Sequence, residues 1–146
     1  MSLRALVVLV FALLAGAAVH AATIPVVNVT LRDASTDPSV KGMVLQADSH
    51  AVKAGRVTFR VVNQSKNTVH EMLVVPAPKA GEELPIDTKA DTVDEKRAHS
   101  RGEVSDLKPG AHGQVTLNLK AGNYVLLCNQ PGHYHAGMST PLTVEK

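Results

Sequence analysis

One short segment near the end of this 146-residue chain constrains its fold more than any other feature. It carries a thiol, an imidazole and a thioether in the spacing Cys128-x4-His133-x4-Met138, with Pro131 and Gly132 between the first two. Proline followed by glycine is a strong turn signal, and strand-like aliphatic runs lie on both sides of the segment. We therefore expect a loop between two strands that bends these three side chains toward one point.

Strand periodicity predicts which other side chains face the interior together with the thiol. Alternate residues of a strand lie on the same face, so an inward Leu126 implies an inward Cys128. In an upstream aliphatic run His70 shares a face with Met72, although both faces of that strand carry aliphatic residues. The inward series of a third strand ends on the amide of Asn63. Periodicity thus brings a thiol, an imidazole and an amide to inner faces of the fold.

Each of these residues also has an ordinary structural explanation. A lone buried cysteine usually behaves as a small hydrophobic residue. His70 can be a hydrogen-bonded core residue, Met138 can fill a core gap, and His133 can be exposed to solvent. Their joint occurrence in this order indicates a metal site instead, because two imidazoles, a thiolate and a weak axial thioether are the ligand set of type 1 copper.

Other chemistries fit the same residues less well. A structural zinc site prefers four strong nitrogen or sulfur ligands, and a thioether is a weak one. Storage of Cu(I) would use methionine and histidine but does not require this strand-anchored spacing. A Cys/His nucleophile pair needs an orienting acid, and none is evident in the sequence.

The first 21 residues have the pattern of a secretory signal peptide. Arg4 supplies a positive charge, residues 5–19 are apolar, and Val19-His20-Ala21 is a candidate cleavage site. About 15 apolar residues fall short of the roughly 20 that span a bilayer, so we expect no stable membrane anchor. Cleavage after Ala21 predicts a single domain, residues 22–146, exported to the periplasm.

Composition excludes some classes of function. The chain has 15 lysine and arginine residues against 13 acidic residues, a net charge of +2, and no basic cluster. Nucleic-acid binding depends on neutralising phosphates, so it is not expected. With two phenylalanines, two tyrosines and no tryptophan, the core must be aliphatic. The single cysteine has no disulfide partner, which in an exported protein requires another explanation.

Short alternating runs bounded by turn residues predict an all-β fold. Seven or eight strands without regular intervening helices are typical of a β-sandwich or a small barrel. The charged segment 79–108 is predicted to be a solvated excursion, in which residues 88–97 can form one or two helical turns; its length leaves a role in partner recognition open. The predicted strands cover residues 24–31, 42–46, 56–63, 69–75, 113–119, 124–128 and 141–144.

Two segments together resemble the cupredoxin, or type 1 blue-copper, family, which includes plastocyanins, azurins and rusticyanin. They are Asn67-Thr-Val-His70, after the predicted strand 56–63, and Ala121-Gly-Asn-Tyr-Val-Leu-Leu-Cys-Asn-Gln-Pro-Gly-His-Tyr-His-Ala-Gly-Met138. The Cys-x4-His-x4-Met spacing is similar to that of rusticyanin; plastocyanins have a shorter Cys-to-His gap and azurins a shorter His-to-Met gap. The resemblance covers the chain after the signal peptide, with residues 79–108 the poorest match. It implies a Greek-key sandwich whose copper ligands are His70, Cys128, His133 and Met138.

The same resemblance implies a function. The chain is expected to be a single-electron carrier, not an enzyme, that binds one type 1 copper ion and alternates between Cu(I) and Cu(II). We expect a monomer that meets redox partners such as a cytochrome or an oxidoreductase transiently, since weak redox encounters bury little area. The expected contact patch lies above His133 and consists of Pro131, Gly132, Tyr134 and Ala136.

Three alternatives stay open. The chain can be a periplasmic copper-handling protein that binds, buffers or delivers the metal with the same residues. It can be an enzyme such as a copper reductase, although such relatives need further domains or a second copper centre. It can also be an interaction domain that binds no metal.

Residues beside the motif need separate interpretation. Several cupredoxins carry Asn or Ser directly after the upstream histidine, where this chain has Glu71. Alternation turns Glu71 away from the face of His70, so we expect it outside the ligand set, although a red-copper variant with an acidic ligand stays open. Asn63 is expected to help orient the ligands through hydrogen bonds. His135, close to the loop, is expected to titrate near neutrality.

Overall fold

The computed structural model describes residues 23–33 and 42–146, so the predicted signal peptide, residues 1–21, lies outside the described residues. Within the described ranges there are eleven strands and no helix, and hence no helix that is long and apolar enough to cross a membrane. The strands are β1 (Val26–Arg32), β2 (Val44–Ala47), β3 (Ala51–Lys53), β4 (Gly55–Asn63), β5 (His70–Pro76), β6 (Ile86–Asp87), β7 (Thr92–Val93), β8 (Gly102–Leu107), β9 (His112–Leu119), β10 (Gly122–Leu127) and β11 (Ser139–Glu145).

Nine of these strands form two sheets that pack against each other. One sheet has the order β2-β1-β4-β9 and the other β3-β11-β10-β5-β8, while β6 and β7 form a separate hairpin. The prediction of an all-β sandwich is confirmed, and the seven predicted strands match observed strands to within two residues at each end. The sequence pattern misses β3, the hairpin and β8. Inward side chains of both sheets form one mainly aliphatic core, which includes Val29, Phe59, Val74, Leu126 and Leu142.

Strand β5 is buried on both of its faces. Every residue from His70 to Val75 is buried, whereas β4 alternates between buried and more exposed positions. Met72 and Val74 point into the main core, and Leu73 and Val75 point to the opposite side. The outer face of β5 therefore needs a cover that a simple two-sheet sandwich does not provide.

Residues 79–101, which we name the covering segment, supply that cover. Most residues of this segment are exposed, as the prediction of a solvated excursion requires, but three of its apolar side chains pack onto the outer faces of β5 and β10, which the prediction missed. The physical reason is that few apolar residues suffice to exclude water from a narrow aliphatic surface. The buried members of this second cluster are Leu73, Val75, Leu84, Val93, Ala98 and Leu127.

The covering segment consists of turns and the β6–β7 hairpin. Of the one or two helical turns that residues 88–97 could form, it has a single turn, in which the N–H of Ala98 donates to the carbonyl of Asp94 at 2.8 Å. The carboxylate of Asp87 accepts hydrogen bonds from the backbone N–H groups of Lys89 and Ala90. Such local side-chain bonds favour turns over helix. Asp91 has a φ of 56°, in the left-handed region that a right-handed helix cannot contain.

Candidate metal centre

Strand pairing brings the four predicted ligands to neighbouring positions. His70 begins β5, Cys128 directly follows β10, His133 lies in the turn after it, and Met138 directly precedes β11. Strand β10 pairs antiparallel with both β5 and β11. The start of β5, the end of β10 and the start of β11 therefore lie side by side.

The turn that precedes His70 is held by a buried amide. The side-chain amide of Asn63 donates to the carbonyl groups of Thr68 at 2.8 Å and Leu107 at 2.7 Å. Its Oδ1 accepts the backbone N–H of Ser65 at 2.9 Å. Asn63 thus fixes the turn between β4 and β5, from which the imidazole of His70 emerges.

Three donor atoms converge on one point. The Sγ atom of Cys128 lies 3.3 Å from Nδ1 of His133 and 3.7 Å from Nδ1 of His70, and the two Nδ1 atoms are 3.2 Å apart. Among the described residues, these three are the one group of histidine, cysteine and acidic side chains whose ligand atoms all lie within 4.8 Å of one another. His70 and Cys128 are fully buried, and His133 is half-buried.

Met138 is tied to this group through the backbone. The N–H of Cys128 donates to the carbonyl of Met138 at 3.0 Å, and the N–H of Met138 donates to the carbonyl of His133 at 3.1 Å. The Met138 side chain is fully buried in the same core cluster as Cys128. Gly132 has a φ of 78°, a conformation that glycine adopts without strain, and so permits the tight turn before His133.

Burial sets the protonation states of the donors. Burial and the neighbouring His133 lower the pKa of His70, and burial lowers the pKa of His133. Both imidazoles are therefore neutral at pH 7, the form that binds metals. Burial raises the pKa of Cys128, against the effect of the Glu71 and Gln130 backbone N–H groups; a cation bound here would replace the thiol proton.

The spacing of the donors fits one transition-metal ion. Bonds of about 2.0–2.1 Å to nitrogen and about 2.3 Å to sulfur, as zinc makes, place trigonal donors roughly 3.5–3.8 Å apart. The observed separations of 3.2, 3.3 and 3.7 Å come within a few tenths of an ångström of that triangle. Two imidazoles, a thiol and a nearby thioether favour copper over zinc, because zinc would need a fourth strong ligand.

The chain matches the family described as "Copper binding proteins, plastocyanin/azurin family" over residues 33–145. The chain belongs to the cupredoxin family. Copper is the metal that this family binds, and the converging donors agree with it. None of the curated proteins matches this cupredoxin.

Solved structures of other cupredoxins share the fold. Auracyanin from Roseiflexus castenholzii is 21% identical, with a TM-score of 0.57 over 86% of this chain and 99% of that chain. Rusticyanin from Thiobacillus ferrooxidans is 16% identical, with a TM-score of 0.57 over 84% of this chain and 79% of that chain. An azurin from Methylomonas sp. strain J is 13% identical, with a TM-score of 0.57 over 84% of this chain and 98% of that chain.

Glu71 is buried in this cupredoxin, beside the donor group and not part of it. Its backbone N–H lies 3.4 Å from the sulfur of Cys128. Its carboxylate accepts a hydrogen bond from Gln130 at 3.1 Å, and the same amide nitrogen lies 3.1 Å from a carboxylate oxygen of Asp106. Burial, opposed by the Gln130 hydrogen bond and aided by nearby carboxylates, raises the pKa of Glu71 to about 7.

The second ring nitrogen of His70 faces Asp33. Nε2 of His70 lies 3.6 Å from Oδ1 of Asp33, and Oδ2 of Asp33 accepts the backbone N–H of Lys66 at 2.9 Å. Burial alone would raise the pKa of Asp33, but hydrogen bonds from Thr68 and Lys66 and the nearby His70 lower it. The sequence gives no signal for Asp33, because it is distant from His70 in the chain and no spacing relates the two.

The covering segment also holds the metal-binding loop, residues 128–138, from outside. Oδ1 of the buried Asn129 accepts the N–H of Val93 at 2.7 Å, and its Nδ2 donates to the carbonyl of Val93 at 3.1 Å. The N–H of Gly132 donates to the carbonyl of Asp91 at 2.8 Å. The exposed His135 pairs with the carboxylate of Asp91 at 2.5 Å. The one sequence signal for these contacts is the aliphatic outer face of β5, which requires a cover.

Proposed function

We propose that this cupredoxin is a single-electron carrier whose copper ligands are His70, Cys128, His133 and Met138. The observation that carries the proposal is the convergence of two Nδ1 atoms and one Sγ atom within 4.8 Å of one another. Copper supplies the one-electron chemistry, because it alternates between Cu(I) and Cu(II) in such a ligand set.

The protein's contribution is to hold the donors in place before the metal binds. The sulfur accepts a backbone N–H from Glu71, and such hydrogen bonds stabilise the thiolate form. The backbone bonds between Cys128, Met138 and His133 fix the loop, and Asn63 fixes the turn before His70. Donors that are already assembled need to move little when charge arrives or leaves, which favours rapid electron transfer.

His133 is the ligand placed to exchange electrons with a partner. It is half-buried, while Pro131 and Ala136 beside it are exposed and Tyr134 is half-buried. A one-electron donor protein, such as a cytochrome, would be oxidised at this surface as the carrier is reduced, and an oxidised acceptor would later take the same electron. A small patch suffices, since transient redox encounters bury little area.

We also propose that residues 1–21 are a signal peptide and that residues 22–146 act in the periplasm as a monomer. The support is the sequence pattern of a charged start, an apolar stretch and a cleavage site. Mass spectrometry of the protein recovered from a periplasmic extract should give the mass of a chain that begins at Ala22. Recovery of the uncleaved chain would contradict export with cleavage.

The decisive experiment is optical and EPR spectroscopy of the copper-loaded protein. We expect an intense visible absorption that disappears on reduction and returns on oxidation. Cys128→Ser should abolish the band because it removes the thiolate ligand, whereas the control His135→Asn, which changes an imidazole of the same loop outside the donor group, should keep it. Colourless copper-loaded wild-type protein would refute the proposal.

Copper handling is the second candidate, because the same donors would bind, buffer or deliver the metal. Cyclic voltammetry with metal analysis separates the two. An electron carrier retains its copper over repeated redox cycles. A delivery protein loses Cu(I) rapidly to a chelator or an acceptor, and that result would favour copper handling.

A further inference from the structure

Two buried polar atoms near the metal centre face each other without any other partner. Among the described residues, Oδ1 of Asp33 and Nε2 of His70 are the buried side-chain nitrogen and oxygen atoms that have no hydrogen bond. They lie 3.6 Å apart, just beyond hydrogen-bond distance. Buried polar groups are nearly always paired, so this juxtaposition requires an explanation.

The position of Asp33 is fixed from its other side. Its Oδ2 atom accepts the backbone N–H of Lys66 at 2.9 Å, in the turn that leads from β4 to His70. The other carboxylate oxygen is thereby aimed at the imidazole. The carboxylate is not free to turn to solvent without giving up the Lys66 bond.

The tautomer of His70 determines whether Asp33 can accept a hydrogen bond from the imidazole. Nδ1 of His70 is the nitrogen that points to Cys128 and His133, so it carries the lone pair for a metal. The ring proton must then lie on Nε2, as a donor directed at Oδ1 of Asp33. In metal sites a ligating histidine commonly donates its second N–H to a carboxylate or carbonyl, which fixes the tautomer and raises the basicity of the ligand.

We propose that Asp33 is a positioning residue that accepts the Nε2 proton of His70 and thereby holds its Nδ1 atom toward the metal. This inference rests on the proposed copper site. A carboxylate behind the imidazole makes His70 a more basic ligand and places a negative charge near the centre. Both effects stabilise Cu(II) relative to Cu(I), so Asp33 keeps the reduction potential of this carrier low.

The test compares Asp33→Asn and Asp33→Glu with wild-type protein, each loaded with copper. In Asp33→Asn the single amide oxygen is needed by the Lys66 N–H, which leaves an NH2 group facing the Nε2 proton. We expect Cu(II) affinity to fall at least tenfold relative to Cu(I), which raises the one-electron reduction potential by at least about 59 mV. Asp33→Glu, which keeps a carboxylate, should restore part of the wild-type potential.

Asp48→Asn is the matched control, because Asp48 hydrogen-bonds Asn28 on β1 and is exposed. Its potential should equal that of wild-type protein. A second readout uses wild-type protein alone: in the diamagnetic Cu(I) form, the Nε2 proton of His70 should give a 1H–15N signal that exchanges slowly with water. Asp33→Asn should shift this signal.

Unchanged potential and an unchanged Nε2 signal in Asp33→Asn would overturn the inference, even if the wild-type protein shows a type 1 spectrum. If Asp33→Asn does not fold, the wild-type signal decides. Exchange as fast as that of the exposed His112 ring would overturn the inference, and slow exchange would support it. Absence of a type 1 spectrum from copper-loaded wild-type protein would instead refute the proposed function.

Discussion

Replacing Asn129 by alanine should detach the covering segment from the metal-binding loop. Asn129 is 6% exposed, and its side chain is the partner of both backbone polar groups of Val93, at 2.7 Å to the N–H and 3.1 Å to the carbonyl. Val93 is itself 2% exposed. Alanine at position 129 therefore leaves two backbone groups without their partner next to a buried hydrophobic cluster.

The size of the stability loss in Asn129→Ala follows from the backbone N–H and carbonyl of Val93, which both lose their partner. A buried polar group that loses its partner costs about 1–3 kcal/mol, and water can reach part of a hairpin that has come loose. We expect Asn129→Ala to lower the free energy of unfolding by about 2–4 kcal/mol. The four predicted ligands are untouched, so the visible band of the copper-loaded variant should keep its position.

Urea denaturation followed by circular dichroism measures this change, as a lower midpoint at an unchanged slope. The matched control is Asn123→Ala, since Asn123 is an exposed asparagine of β10, the strand that precedes the loop, and its Oδ1 atom has a 3.4 Å contact with Thr143. Surface substitutions of this kind usually change stability by less than about 0.5 kcal/mol. An equal, small effect of both substitutions would refute the reasoning that Asn129 holds the covering segment.

Two further substitutions test the surroundings of the metal centre. The pKa of Glu71 is raised to about 7 in the folded protein, whereas the carboxyl group of the unfolded chain has its ordinary pKa of about 4.3. Between these two values the folded protein still holds the proton that the unfolded chain has released, so the free energy of unfolding falls as pH rises from about 4.3 to about 7. In metal-free protein Glu71→Gln should therefore gain stability over wild type between pH 5 and pH 8, by up to about 3 kcal/mol; parallel pH profiles would contradict this. Leu73→Ala, in the second cluster, should lower the free energy of unfolding, measured by urea denaturation, by about 2–5 kcal/mol. The control Val26→Ala, at an exposed position, should lower it by less than about 0.5 kcal/mol. Similar losses in the two variants would show that the second cluster contributes little to stability.

Much of the fold was readable from the sequence because strand periodicity is a local signal. The alternation in residues 56–63 and 113–119 predicts both the strands and their inward faces. Two of the three converging donors were readable because Cys128 and His133 lie in one short loop of fixed spacing, and periodicity placed His70 on an inner face. That His70 lies beside the other two depends on the pairing of β5 with β10, which no local pattern encodes.

The covering segment was misread because its apolar residues are few and irregularly spaced. Leu84, Val93 and Ala98 lie among charged residues, so no period of two or 3.6 marks them. Their burial depends on contacts with β5 and β10, which no local pattern encodes. Asp33 was missed for a related reason, because its role depends on one atom of a ring that lies on another strand.

The covering segment and the metal centre lie on opposite faces of the same pair of strands, β5 and β10. Leu73 pairs with Leu127 in the register of β5 and β10, both in the outer cluster, while His70 and Cys128 lie on the inner side. A slip of one residue would exchange the two faces of a strand. It would turn Leu73 into the core, turn His70 out of the donor site, and put a neighbour of His70, Val69 or Glu71, in its place. By burying the outer leucines, the covering segment makes such a slip costly, and it thereby fixes the register on which the convergence of His70, Cys128 and His133 depends.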